Sequence, residues 1–257
     1  MILSRENIGF KKYNRIVSLV PSQTELLFHL GLDKKVIGIT KFCIHPQKWF
    51  REKTRVGGTK KVNFQKIEEL SPALIIANKE ENVKEQIESL AEEFDVWITD
   101  VNTLKEAIEM IRDIGSLCDR EREAKLLASA IKAGFKKLNE DFSNKEKKKA
   151  AYFIWKDPWM VAGGDTFINE MMNQAGFENV FATLDRYPEI NLEDIPLNTE
   201  FILLSSEPYP FKEKHKAEFA AINSQLKVEL VDGEMFSWYG SRLLKSIDYF
   251  HSFWKKR

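Results

Sequence analysis

The segment richest in chemistry is Phe42-Cys43-Ile44-His45-Pro46. A thiol and an imidazole two positions apart offer soft and borderline donors, but a closed metal site needs about four ligands. His29, His215 and His251 have no comparable company. The segment therefore reads as a pocket wall at the carboxyl end of a parallel strand, where α/β sheets bind ligands. A second loaded stretch is Phe236-Ser237-Trp238-Tyr239-Gly240-Ser241-Arg242. Its aromatics supply flat contact area and its guanidinium can grip an anion in bidentate fashion. With Trp155 and Trp159 it either lines one side of a ligand cleft or closes the end of a core. Gly163-Gly164-Asp165, ahead of a helix, either presents amides to an anion or simply starts that helix. Val56-Gly57-Gly58-Thr59-Lys60-Lys61 imitates a phosphate loop without its spacing or its following helix, and reads as a turn. GxSxG, HExxH, GxxxxGK[ST] and strand-linked GxGxxG signatures do not occur. No catalytic residue and no metal ligand set is assigned.

The elements that would position these residues alternate. RIVSLV, residues 15–20, is an apolar β-branched run typical of a buried strand, and Pro21 ends it. Ser22-Gln23-Thr24-Glu25 predicts a capping box opening a helix that Gly31 stops. A strand over 36–40 follows, so this is a βαβ unit with parallel strands. Helix 64–70 behind Asn63, strand 73–77, helix 82–93, strand 96–99 and helix 104–118 continue the pattern. Residues 119–142 carry apolar side chains at helical spacing with no proline, which predicts one amphipathic helix about 30 Å long. NKEKKK, 144–149, reads as a solvated turn. Alternation resumes with strand 150–155, helix 166–175 closed by Gly176, strands 201–204 and 228–231, and helix 241–254. Asn63-Phe64-Gln65-Lys66-Ile67 and Leu74-Ile75-Ile76 are echoed at one constant spacing by Asn191-Leu192-Glu193-Asp194-Ile195 and Ile202-Leu203-Leu204. The expected organisation is an α/β lobe over 14–118, a backbone helix over 119–142 and a second α/β lobe over 143–257.

Composition narrows the functional classes. With 43% hydrophobic and 30% charged residues, the 257-residue chain can bury a core. Lys plus Arg and Asp plus Glu each number 39, so no overall basic field favours a nucleic acid. MILSRENIGFKKYN carries charges throughout, without the apolar run of about 7 to 15 residues that an export signal needs. Cys43 and Cys118 lack a pairing motif and suit a reducing compartment. These features predict a cytoplasmic protein, periplasmic only if a signal is missing upstream.

Taken in order along the chain, RIVSLVPSQTEL, Phe42 to Pro46, Val56-Gly57-Gly58 with 63–77, Gly163-Gly164-Asp165 with Asn179-Val180-Phe181, and Trp238 to Arg242 resemble the substrate-binding proteins of ABC importers for vitamin B12, haem and ferric siderophores. The resemblance implies two Rossmann-like lobes joined by a single long helix, the class III periplasmic-binding-protein fold, with a metal chelate such as cobalamin, haem or a ferric siderophore held in the cleft between lobes. It implies no intrinsic cofactor, a monomer, and docking onto a membrane permease through positions that fall on Gln65 and Glu193. It places the positions that cradle a corrin on Asn78, Met160 and Glu189, among others. The expected ligand contacts are Ser22, Gln23, Thr24, Phe42, Cys43 and His45 in the first lobe, with Trp159, Trp238, Tyr239 and Arg242. A cytoplasmic carrier or sensor of a metal chelate or tetrapyrrole, and a chelatase-like enzyme of the same build using Cys43 and His45, are the alternatives.

Overall fold

Apolar β-branched runs flanked by amphipathic stretches fold here into two α/β units. The computed structural model describes residues 1–8, 11–219 and 226–255. The first unit comprises Met1–Val101, Lys105–Lys132 and Tyr239–Arg242; the second comprises Asn102–Leu104, Ala133–Trp238 and Leu243–Arg257.

In the first unit, strands β1 (Ile16–Ser18), β2 (Val36–Ile39), β3 (Thr54–Arg55), β4 (Leu74–Asn78) and β5 (Val96–Thr99) form a sheet in the order β3-β2-β1-β4-β5. Every pairing is parallel. The connections carry α1 (Pro21–His29), α2 (Gln47–Glu52), α3 (Phe64–Leu70) and α4 (Lys84–Glu93), with α5 (Leu104–Leu117) after β5. The strand order reverses between β1 and β4, and such a switch point opens a crevice at the carboxyl ends of the strands. Val17, Leu19, Ile75, Ala77 and Val96 pack with Ile67, Ile87 and Leu90 in one buried cluster. Each large aliphatic side chain buried this way contributes about 1.5–3 kcal/mol.

Asn63 caps α3 as expected, its side chain accepting from the Lys66 amide at 3.0 Å. The capping box expected at Ser22 does not form. Pro21 is already helical, Val20 stands at the cap, and no side chain bonds there. A proline at the first helical position needs no partner for a missing amide hydrogen, which makes a serine cap one residue later superfluous. Glu25 is thereby left for another partner. The sequence also gave no sign of α2 and β3, too short for periodicity. Ile2 bridges Val96 and the Leu3 amide bonds the Val96 carbonyl at 2.8 Å, so the first residues pair along β5.

Helix α6 (Glu121–Phe142) is continuous; its residues to Lys132 belong with the first unit and those from Ala133 with the second. In the second unit, β6 (Lys148–Trp155), β7 (Met160–Val161), β8 (Phe177–Asn179), β9 (Phe201–Ser205) and β10 (Lys227–Val231) form a sheet in the order β10-β9-β6-β7, with β8 also on β6. Only β7 runs antiparallel to its neighbour. Lys148 and Lys149, expected in a solvated turn, are the first residues of β6. Helices α7 (Phe167–Gln174), α8 (Glu234–Ser237) and α9 (Leu243–Lys255) complete the unit. The echo of Asn63–Ile67 is partial, because Leu192–Asp194 is a single 3₁₀ turn rather than an α-helix. The core is aromatic: Phe153 meets Trp159 and Phe219 edge-on at 5.6 and 5.0 Å, and Phe236 packs against Tyr152 and Phe250 at 5.2 and 4.9 Å.

Candidate functional site

At the carboxyl end of β1 the chain turns directly into α1, which buries Ser22, Gln23 and Thr24. The Thr24 hydroxyl lies 2.8 Å from the Ser18 hydroxyl and 2.9 Å from the Val20 carbonyl. The Cys43 sulfur is 3.1 Å from the hydroxyls of both Thr24 and Thr40. Burial is the largest influence on this thiol and pushes its pKa up, against the hydrogen bonds from Thr24 and Thr40. Gln23 donates to Thr99. Thr24 and Cys43 thus meet in a buried polar framework and not on an exposed surface, with Ser22 and Gln23 buried on the same helix. The loop's outward residues are Phe42 and Ile44, 50% and 44% exposed, while His45 is half-buried. The segment is a turn, with the Cys43 amide donating to the Thr40 carbonyl at 3.2 Å and the Ile44 amide to the Phe42 carbonyl at 2.9 Å, and it tucks Cys43 inward between the two exposed side chains.

Asn78, a position the resemblance assigns to corrin contact, is instead buried. Its Oδ1 accepts from the Glu80 and Glu81 amides at 2.9 and 3.1 Å, and its Nδ2 donates to the Thr99 carbonyl at 2.9 Å. The side chain shapes the loop after β4. Asn82 ties that loop to the next, donating to the Thr59 carbonyl at 3.0 Å. Glu81, half-buried beside this turn, has its pKa raised chiefly by burial, with Lys60 opposing.

Beside Phe42 the Gly57-Gly58 turn frames a groove of about 520 Å³, lined also by Lys41, Lys60 and Lys61. Gly57 has φ +103°, and a Cβ at Gly58 would stand 3.1 Å from the Phe42 ring and 3.4 Å from Lys41 Cε. Glycine at 58 keeps the floor of this groove open. The sequence signal is the pair of glycines itself, which by residue type reads as a turn.

Gly240 and Arg242 lie on α1. Arg242 donates through Nε and one terminal nitrogen to the two carboxylate oxygens of Glu25, each at 2.8 Å, with side chains only 5% and 13% exposed. A Cβ at Gly240 would sit 3.3 Å from Leu26 Cβ. The guanidinium expected to hold ligand therefore holds Glu25, and Tyr239 is buried with it. In the second unit, Trp238 is also buried, its indole nitrogen donating to Glu207 Oε1 at 2.8 Å beside Ser237 at the same distance. Trp159 packs among Phe153, Phe211 and Phe219. For Trp159 and Trp238 the core-closing alternative describes the geometry. Trp155, at the end of β6, is 39% exposed, with Tyr209 edge-on at 5.6 Å. The glycine pair before α7 is no anion cradle: the Gly163 and Gly164 amides donate to the Arg186 and Leu184 carbonyls, both at 2.8 Å, and Thr166 caps the helix. Gln65 and Glu193 are both exposed. Among the described residues no cluster of three or more His, Cys, Asp or Glu is placed to hold a metal ion.

Comparison with known proteins gives this arrangement relatives. The family described as periplasmic binding protein matches residues 16–217. An uncharacterised ABC transporter substrate-binding lipoprotein of Bacillus subtilis is 28% identical over 95% of this chain and 81% of its own length. A vitamin B12-binding protein of Vibrio parahaemolyticus is 24% identical over 75% of this chain and 70% of its own. Among solved structures, the periplasmic vitamin B12 binding protein of Vibrio cholerae superimposes with a TM-score of 0.80 at 20% identity, covering 95% of this chain and 97% of that one. A periplasmic haem-binding protein of Pseudomonas aeruginosa gives 0.78 at 17% identity, over 93% and 92%. The α/β class III fold expected from the sequence is the fold of these neighbours.

The cytoplasmic placement is overturned by the same findings, since the relatives are a lipoprotein and periplasmic binding proteins. The cysteine argument behind it fails for a physical reason: both thiols are buried without exposure, so they stay unpaired whatever the redox state outside.

Proposed function

This chain belongs to the periplasmic binding protein family, and on that premise we propose that it is the substrate-binding component of an ABC-type importer, with a metal chelate of the cobalamin, haem or ferric-siderophore class as cargo. The observation that carries the reading is the family match over residues 16–217 combined with a groove at the carboxyl ends of the first unit's parallel strands, where such sheets bind ligands. Phe42 and His45 are the proposed contacts in the first unit. Trp155 and Tyr209 are proposed as an aromatic contact surface in the second.

The chelate is transported cargo and not a resident cofactor, and it leaves chemically unchanged: the chain acts as a binding protein and not an enzyme. Gln65 and Glu193 are the proposed permease contacts. Only Glu193 is charged, so local steering toward a basic permease surface comes from one unit's tip.

The test is a titration of the purified protein with cyanocobalamin, haemin and ferric siderophores, followed by tryptophan fluorescence and thermal shift, with the ligand recovered and analysed afterwards. Saturable binding of one class and recovery of intact ligand is expected. Turnover of the ligand, or silence across the panel, would overturn the proposal.

A further inference from the structure

The groove beside Phe42 carries a charge pattern that selects among chelates. Its walls bring three lysines, Lys41, Lys60 and Lys61, around one half-exposed aromatic ring, and no acidic side chain lines it. Lys41 Nζ rides 5.1 Å above the Phe42 ring. Lys60 Nζ donates to the Glu80 carbonyl at 2.6 Å and feels the Glu81 carboxyl, so its charge is partly committed. Among the described residues no ion pair reaches Lys41 or Lys61. In a chain whose positive and negative side chains balance one for one, two uncompensated ammonium groups at the rim of one groove are a local departure from neutrality.

Building on the chelate-binding reading, we infer that the ligand is anionic, a chelate bearing peripheral carboxylates that lie against Lys41 and Lys61 while its apolar body rests on Phe42. Ammonium groups on flexible stems suit this task, because they can follow carboxylates whose positions differ between ligands. Gly58 supports the arrangement, since any larger residue would push into the ring and the Lys41 stem. An uncharged corrinoid or a cationic hydroxamate gains nothing from the two lysines.

The test uses the whole protein and four probes: haemin and ferric citrate as anionic chelates, cyanocobalamin as an uncharged one and ferrioxamine B as a cationic one. Tryptophan quenching should show binding of an anionic probe, weakening about tenfold in Lys41→Ala/Lys61→Ala, with a far-UV melting curve unchanged. Raising salt to shrink the Debye length from about 10 to about 3 Å should weaken the same probe and leave the double variant nearly indifferent. Tighter binding of cyanocobalamin or ferrioxamine B, unaffected by the two substitutions, would overturn the anionic assignment while leaving the chelate-binding reading intact. Silence of all four probes would overturn both.

Discussion

Replacing Arg242 by alanine separates a ligand-binding arginine from a structural one. The guanidinium and the Glu25 carboxylate share two hydrogen bonds of 2.8 Å at 5% and 13% side-chain exposure. Removing one partner of a buried pair costs about 3–5 kcal/mol, because the surviving charge stays buried without that partner. Glu25 keeps a small opening to water, which places the expected loss near the lower end, about 3 kcal/mol. With a urea slope of about 1–3 kcal/mol per molar, the midpoint of the first unit should fall by about 1–3 M. Far-UV ellipticity in urea, with Glu25→Gln and the double variant completing a cycle, measures the pair directly. Glu25→Met/Arg242→Met should recover most of the loss, since an apolar pair of similar volume removes both desolvation penalties. An Arg242→Ala protein as stable as the parent within about 0.5 kcal/mol, but unable to bind ligand, would refute this account and restore the arginine to the ligand.

Two further outcomes follow from buried and paired groups. Cys43 and Cys118 are both buried, and burial pushes the Cys118 pKa up to about 12; neither should react with a thiol reagent at pH 8 until the protein is unfolded, and rapid native labelling of either would contradict their placement. Asp33 has its pKa lowered chiefly by the Trp49 indole bond and then by Lys48; for Asp95, burial alone would raise it but is outweighed by Lys11 and Tyr13. Folded carboxyls depressed below their unfolded values contribute stability above about pH 4 that is lost as pH falls through the folded pKa. The urea midpoint should drop between pH 6 and pH 3, and Asp33→Asn/Asp95→Asn should shrink that drop; an identical drop would refute the assignment.

The fold was legible wherever a periodic run was long enough to show its period. β1, β4, β9 and helices α5 and α6 fall within a few residues of where patterning put them, because burial on a parallel sheet demands continuous apolar strands. Elements of two to six residues, such as α2, β3 and β7, depend on tertiary pairing and leave no period to read. At the candidate site, sequence reasoning named chemistry-bearing residues, and the fold turns several of their polar groups inward. Thr24, Cys43, Trp238 and Arg242 carry the chemistry a ligand would want, yet their hydroxyl, thiol, indole and guanidinium meet partners within the protein. Residue type alone cannot tell a polar group aimed outward from one satisfied inside. The groove at Lys41 and Gly58 was missed because lysines and glycines in a loop look like solvated turn, and only the fold brings them around one ring.

The four residues Tyr239–Arg242 illustrate how sequence contiguity and folding unit can part company. They come from far along the chain, yet they cover Leu26 and neutralise Glu25 on a helix near its beginning. A fragment cut after Lys132 would therefore be an open shell: its α1 would uncover Leu26 and leave Glu25 without Arg242. Anyone dissecting the molecule for crystallography or display would have to graft the missing strap, or permute the chain so that residues 239–242 precede β1. During synthesis the early part of the chain cannot reach its final form until its last quarter has arrived, and until then the uncovered face of α1 is a place for a chaperone or a second copy to bind.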